Sequence, residues 1–79
     1  MDKQKRRAVK LSNILEYEAL KRGLTHEGMS KLLDIPRSSI TYYLQGKRLP
    51  CAATLKKISD KLNIDIAKIF MELEKDKEV

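Results

Sequence analysis

A run of hydrogen-bond donors occupies one short stretch of the chain, Pro36 to Gly46, which reads PRSSITYYLQG. Proline suits the start of a helix because its φ is fixed, and glycine suits the end because it adopts the left-handed conformation. Ile40 and Tyr43 are three residues apart and give this helix one thin apolar face. The opposite face carries side chains that can all donate hydrogen bonds: Arg37, Ser38, Thr41 and Tyr42. We expect a helix at about residues 36–45 that is presented to a partner, and the major groove of DNA suits such donors.

The composition fits one small helical domain. Of the 79 residues, 42% are hydrophobic and 35% are charged, which is typical of a folded chain rather than a disordered one. The net charge of +6 favours an anionic partner such as nucleic acid. A single cysteine, Cys51, excludes an internal disulfide and favours a reducing cytoplasm. Apolar runs are too short for a membrane span or a signal peptide.

Helical spacing of apolar residues predicts an all-α chain. The predicted helices lie at about residues 12–22, 26–33, 36–45, 51–62 and 66–75. Gly23 and Asn63 are expected to end helices, whereas Thr25 and Asp65 are expected to cap the helices that follow them. Five short helices with short links predict a compact orthogonal bundle that contains a helix-turn-helix.

The two ends of the chain are predicted to lie outside the domain of residues 11–75. Residues 1–10 are rich in lysine and arginine and show no apolar face, so a basic flexible arm is expected there. Such an arm is either a solvated terminus or a contact for phosphates or the minor groove, in which case the candidates are Lys5, Arg6 and Arg7. Residues 76–79 are expected to form a charged tail.

Residues 23–64, GLTHEGMSKLLDIPRSSITYYLQGKRLPCAATLKKISDKLNI, resemble the lambda-repressor-like DNA-binding family. That family includes the Cro and repressor proteins of phages and the xenobiotic-response-element (XRE) class of bacterial regulators. The similarity lies in Gly-Leu-Thr before the second helix, Ile35 in the turn, Ile40 in the third helix, and Gly-Lys-Arg-x-Pro after it. It implies a sequence-specific regulator that binds a two-fold-related operator as a homodimer, with the third helix in the major groove.

The resemblance also assigns roles by position. It places four residues at base-reading positions: Arg37, Ser38, Thr41 and Tyr42. It places a second group against the DNA backbone: His26, Ser39, Lys47 and Arg48. The alternative is that these side chains are solvated charges or surface packing with no role in DNA binding. Tyr43, by contrast, is expected in the core because of its spacing from Ile40.

The sequence departs from the family pattern at several positions. Asp34 stands where glycine is usual, so it is expected in the left-handed region. Ser30 replaces a small apolar residue, and its hydroxyl is expected to bond back to a carbonyl. Ala19 and Leu44 stand where many members of the family have an Arg–Glu pair. Both charges are absent together, so neither is left buried without its partner. Pro36 replaces a hydroxyl residue and removes one phosphate contact.

No metal, cofactor or catalytic site is expected. His26 is the only histidine and has no cysteine near it in sequence, and no nucleophile–base set or Gly-rich phosphate loop is present. Cys51 starts a helix, where it either fills a position usually held by serine or acts as a redox-sensitive thiol. We therefore expect a bacterial or phage-encoded transcriptional regulator, more specifically a repressor, rather than an enzyme.

A rival hypothesis is an antitoxin-like or other protein-binding module with the same fold. Met71 lies beside the apolar face of the last helix and could contact a partner protein. Attachment to an anionic membrane through residues 1–10 is disfavoured because that segment lacks an apolar face.

Overall fold

The computed structural model describes residues 2–78, with side chains described up to Leu73. Five helices occupy this part of the chain: α1 (Lys3–Arg22), α2 (His26–Leu33), α3 (Arg37–Leu44), α4 (Ala52–Leu62) and α5 (Ile66–Glu78). Residues 2–78 contain no strand, so the predicted all-α five-helix bundle is confirmed. Helix α1 packs on α3 and α5, while α2 packs on α3 and α4.

The start of α1 corrects the prediction of a flexible arm. Helix α1 begins at Lys3, not near Ser12, so residues 3–10 are its first turns. Asp2 caps this helix by accepting a hydrogen bond from the backbone N–H of Lys5 at 2.8 Å. Ala8 is buried and continues the apolar face of the helix toward its N-terminus. Residue 1 lies outside the described residues.

The other boundaries differ by a residue or a turn. Pro36 and Cys51 are the N-cap residues of α3 and α4 rather than their first helical residues, and neither side chain makes a capping hydrogen bond. Helix α5 extends past the predicted Lys75 to Glu78, which places most of the predicted tail within the helix. Residue 79 lies outside the described residues.

A single core lies where the helices meet. Its buried members come from all five helices and the α2–α3 turn: Leu11, Leu15, Met29, Leu33, Ile35, Ile40, Tyr43, Ile58, Leu62, Ile66 and Phe70. Ala19 and Leu44 are half-buried against this core and line one shallow groove, as expected for an apolar exchange. Burial of this apolar surface is the main force that fixes α3 against α1 and α2.

The turn between α2 and α3 sets the geometry of the helix-turn-helix. Asp34 has φ 56° and ψ 48°, so its predicted left-handed conformation is confirmed. The Ser30 hydroxyl donates to the carbonyl of Ile35 across the turn, which corrects the prediction of a bond back along α2. The left-handed Asp34 reverses the chain and brings the Ile35 carbonyl over Ser30. Lys57 of α4 donates to the Asp34 carbonyl at 3.2 Å and ties the turn to the bundle.

Glu18 interrupts the apolar face of α1 in sequence, yet it is buried, with 4% of its surface exposed. Its carboxylate accepts a hydrogen bond from Arg22 Nε at 3.0 Å and lies 3.4 Å from Lys21 Nζ. Two cations one turn away compensate the buried negative charge, which would otherwise be costly.

Candidate nucleic-acid interface

Helix α3 has two unlike faces. Ile40 and Tyr43 are buried, and Tyr43 is only 7% exposed, so its predicted core packing is confirmed. Arg37, Ser38 and Tyr42 are exposed and Thr41 is half-exposed. The period of 3.6 residues per turn separates the two sets. The structure therefore brings the four predicted base-reading residues together on one accessible face.

Thr41 connects the middle of α3 to the start of α2. Its hydroxyl donates to the Arg37 carbonyl at 3.1 Å, and its oxygen lies 3.3 Å from Nδ1 of His26. His26 is the first residue of α2, because Thr25 before it is the N-cap and accepts a hydrogen bond from the Gly28 N–H at 3.1 Å. The His26 side chain is exposed. The two helices thus share a polar contact at the surface of the helix-turn-helix.

Tyr42 and Arg48 form a pair that sequence reasoning missed. The Arg48 guanidinium carbon lies 5.2 Å from the centroid of the Tyr42 ring, within cation–π range. The contact joins α3 to the segment after it because Gly46 reverses the chain, with φ 70°. A side chain at Gly46 would be strained because of this φ, although its Cβ would have room, in ordinary van der Waals contact with the Val9 backbone at 3.6 Å.

The segment after α3 carries the predicted phosphate contacts. Lys47 and Arg48 are exposed there, and the backbone N–H of Lys47 donates to the Tyr42 carbonyl at 3.1 Å. Ser39, the remaining predicted backbone contact, is half-buried on α3.

The three basic residues predicted to act as an arm are distributed over different surfaces of α1. Lys5 lines a groove with Gly46 and Lys47, beside the end of α3. Arg6 lies in a different groove with Val9 and Leu73. Arg7 stacks over Phe70 of α5, with its guanidinium carbon 5.6 Å from the ring centroid. Only Lys5 is therefore brought to the segment that follows α3.

Cys51 lies just beyond this segment at the N-cap of α4. Its thiol is exposed, and its sulfur lies 3.4 Å from the Thr54 hydroxyl. This hydrogen bond with the Thr54 side chain holds the pKa of the Cys51 thiol below its usual value.

Among the side chains of residues 2–73, no three from His, Cys, Asp or Glu are placed to share a metal ion. No helix in that part of the chain is both long and apolar enough to cross a bilayer.

A protein-family comparison identifies the class to which this fold and surface belong. The helix-turn-helix family model HTH_3 matches residues 15–69, more than half of the chain, from the middle of α1 into α5. The chain therefore belongs to this family, the XRE and lambda-repressor-like helix-turn-helix class, as the resemblance implied. It is a family of DNA-binding transcription regulators and generally not of enzymes. No curated protein and no solved structure matched the chain.

Proposed function

We propose that this protein is a repressor that binds a specific double-stranded DNA operator through the exposed face of α3. The observation that carries the proposal is that four hydrogen-bonding side chains share one accessible face of a helix held by the core: Arg37, Ser38, Thr41 and Tyr42. A helix of this diameter fits the major groove of B-DNA, where base edges present distinct patterns of donors and acceptors.

The base-reading residues in this proposal are Arg37, Ser38, Thr41 and Tyr42. Arg37 is exposed in the first turn of α3, where its planar guanidinium can donate two parallel hydrogen bonds to O6 and N7 of guanine. Recognition helices of this type contact bases mainly through their N-terminal residues.

The backbone contacts surround the recognition helix. His26 lies at the N-terminus of α2, where the helix dipole also favours a phosphate. Lys47 and Arg48 follow α3, and the position of Lys5 beside Lys47 adds a third cation to that side. Ser39, half-buried, would contribute a hydroxyl from α3 itself. These groups would fix the register of the protein on the duplex, and they carry no sequence information directly.

The active form in this proposal is a cytoplasmic homodimer on a two-fold-related operator. Two copies of α3 would then enter successive major grooves on one side of the duplex. Repression would follow from occupancy of the operator, which excludes polymerase.

The direct test is selection of bound duplexes from a random DNA pool at physiological salt. Recovery of a motif with two-fold symmetry and half-sites about one helical turn apart would support a dimeric regulator. Recovery of random sequences, with binding lost at modest salt, would contradict the proposal because only net charge would then be acting.

A second candidate, a module that masks a partner protein, rests on the surface between α4 and α5. An apolar groove there is lined by Leu55, Ile66, Phe70 and Met71, and Met71 is 63% exposed. Size-exclusion chromatography with light scattering separates the candidates. A concentration-dependent dimer favours the operator-binding proposal, and a strict monomer favours the masking module.

A further inference from the structure

We infer that operator binding by this protein takes up one proton at His26, so that its DNA affinity falls as pH rises. The inference rests on the proposed function, because it assigns His26 to a phosphate. It goes further by specifying which ring nitrogen meets the DNA, and in which protonation state.

The argument begins with the single proton of the Thr41 hydroxyl. The Arg37 carbonyl oxygen, 3.1 Å from Thr41 Oγ1, has no proton to give, so the hydroxyl must be the donor in that contact. The proton of Thr41 is therefore directed along α3, and the base contact proposed for Thr41 falls to its methyl group and to the second lone pair of its oxygen.

This direction decides the tautomer of His26. Its Nδ1 lies 3.3 Å from Thr41 Oγ1, which can only accept a hydrogen bond there because its proton is already used. Both contacts of Thr41 are hydrogen bonds at the same time only when Nδ1 carries a hydrogen and donates it to Thr41. A neutral imidazole has one N–H, so neutral His26 leaves Nε2 as a bare acceptor.

A bare Nε2 cannot bind a phosphate, since both groups are hydrogen-bond acceptors. When His26 takes a proton from solvent, Nε2 becomes a donor and the ring becomes a cation, while the Nδ1 contact with Thr41 is kept. The imidazolium can then form a charge-assisted hydrogen bond to a phosphate oxygen. One proton enters the complex and no other bond changes.

The surroundings of His26 include charges from each element packed near it. Glu16 of α1 lines the same groove as His26, and Glu27 follows it on α2. Arg37 of α3 lies one turn before Thr41. These are the charged groups on the elements packed around His26, and a bound phosphate would bring a further negative charge to the Nε2 side of the ring.

The first experiment measures affinity for a duplex recovered in the selection described above, at about pH 6 and about pH 8, where histidine changes its charge. The background is Cys51→Ser, because this change removes the thiol whose pKa is lowered. His26 is the only histidine of the chain. We expect affinity to fall roughly tenfold from the lower to the higher pH, the size of one charge-assisted contact.

The matched control is His26→Gln in the same background. Glutamine offers an N–H donor at every pH, so the affinity of this variant should change little between the two conditions. The variant keeps the same N-terminal amine, so any pH effect common to both proteins is subtracted. Calorimetry in two buffers of different ionisation enthalpy should detect proton uptake for the protein with His26 and none for the His26→Gln variant.

The second experiment needs no DNA. Nitrogen NMR of the free protein at about pH 8 should find His26 as the Nδ1–H tautomer, whereas an isolated histidine prefers Nε2–H. Thr41→Val removes the acceptor and should shift the population toward Nε2–H, and Thr41→Ser should retain Nδ1–H.

The outcomes are distinguishable. Tight binding with equal affinity at both pH values, or an Nε2–H tautomer in the free protein, would overturn the inference and leave the proposed function standing. Loss of all sequence-specific binding at both pH values would overturn both.

Discussion

Tyr42 and Tyr43 are neighbours in the chain, but they lie in opposite environments. Tyr42 is 46% exposed and supports Arg48, whereas Tyr43 is 7% exposed and packs in the core. The same side chain thus serves two purposes, and only its position on the helix differs. The comparison shows that the buried face of α3 determines where the helix lies, while the exposed face is free to determine what it binds. Substitutions on the two faces should therefore affect different measurements.

The largest expected effect is on stability, from the buried face. Ile40→Ala removes a fully buried side chain and should lower the free energy of unfolding by about 2–5 kcal/mol. Its neighbour Thr41→Ala, on the other face, should change that free energy by less than about 1 kcal/mol. Urea denaturation followed by circular dichroism measures both. Equal losses would contradict the division of α3 into two faces.

The next effect is on specificity, from the exposed face. Arg37→Ala should weaken operator binding by roughly 1–3 kcal/mol and relax the base preference at one position, because a bidentate base contact is lost. Lys47→Ala should instead weaken cognate and random duplexes alike, since a phosphate is common to both. Fluorescence anisotropy with both duplexes measures the difference. If the two variants lost the same affinity on both, the assignment of roles would be wrong.

A smaller effect tests the pair formed by Tyr42 and Arg48. Tyr42→Phe keeps the ring beneath Arg48 and loses only the hydroxyl, whereas Tyr42→Ala also removes the ring that contacts the Arg48 guanidinium. A double-mutant cycle of Tyr42→Ala with Arg48→Ala should give a coupling in binding free energy of about 0.5–1 kcal/mol. Additive losses would mean that the ring does not position the guanidinium on DNA.

The smallest effect distinguishes the basic residues at the start of α1. Lys5→Ala should reduce the slope of log affinity against log salt by about one unit, because Lys5 lies beside Lys47 and would release one counterion. Arg6→Ala, an equal loss of charge on a different groove of α1, should leave the slope nearly unchanged. A matching change in both variants would show that the charge acts only at long range.

Much of the fold could be predicted because local signals and burial agree. Thr25 caps α2, Asp34 reverses the chain and Gly46 follows α3, and each of these features has a cause within a few residues in sequence. The start of α1 was not predicted, because the local signals near the N-terminus are weak. Asp2 is a good N-cap residue, but most of the residues that follow it are charged. Ala8 alone among residues 2–10 is buried, and one apolar residue is too little to indicate a helical apolar face.

The contacts within the candidate interface could not be predicted from local patterns. His26 and Thr41 are separated by 15 residues and meet only because the α2–α3 turn has one particular crossing geometry. Arg48 reaches Tyr42 only because Gly46 turns the chain back on α3. Sequence position predicted which residues would lie on this surface, whereas their pairing depends on tertiary structure.

An NMR titration of the protein with its selected operator tests most directly whether the exposed face of α3 meets the bases. Intermolecular contacts from the Thr41 methyl group and the Tyr42 ring to base protons are expected, with amide shifts in α3, at His26 and at Lys47. The α4–α5 groove around Phe70 should shift far less than α3. Base contacts absent from α3, with the largest shifts in that groove instead, would contradict the account.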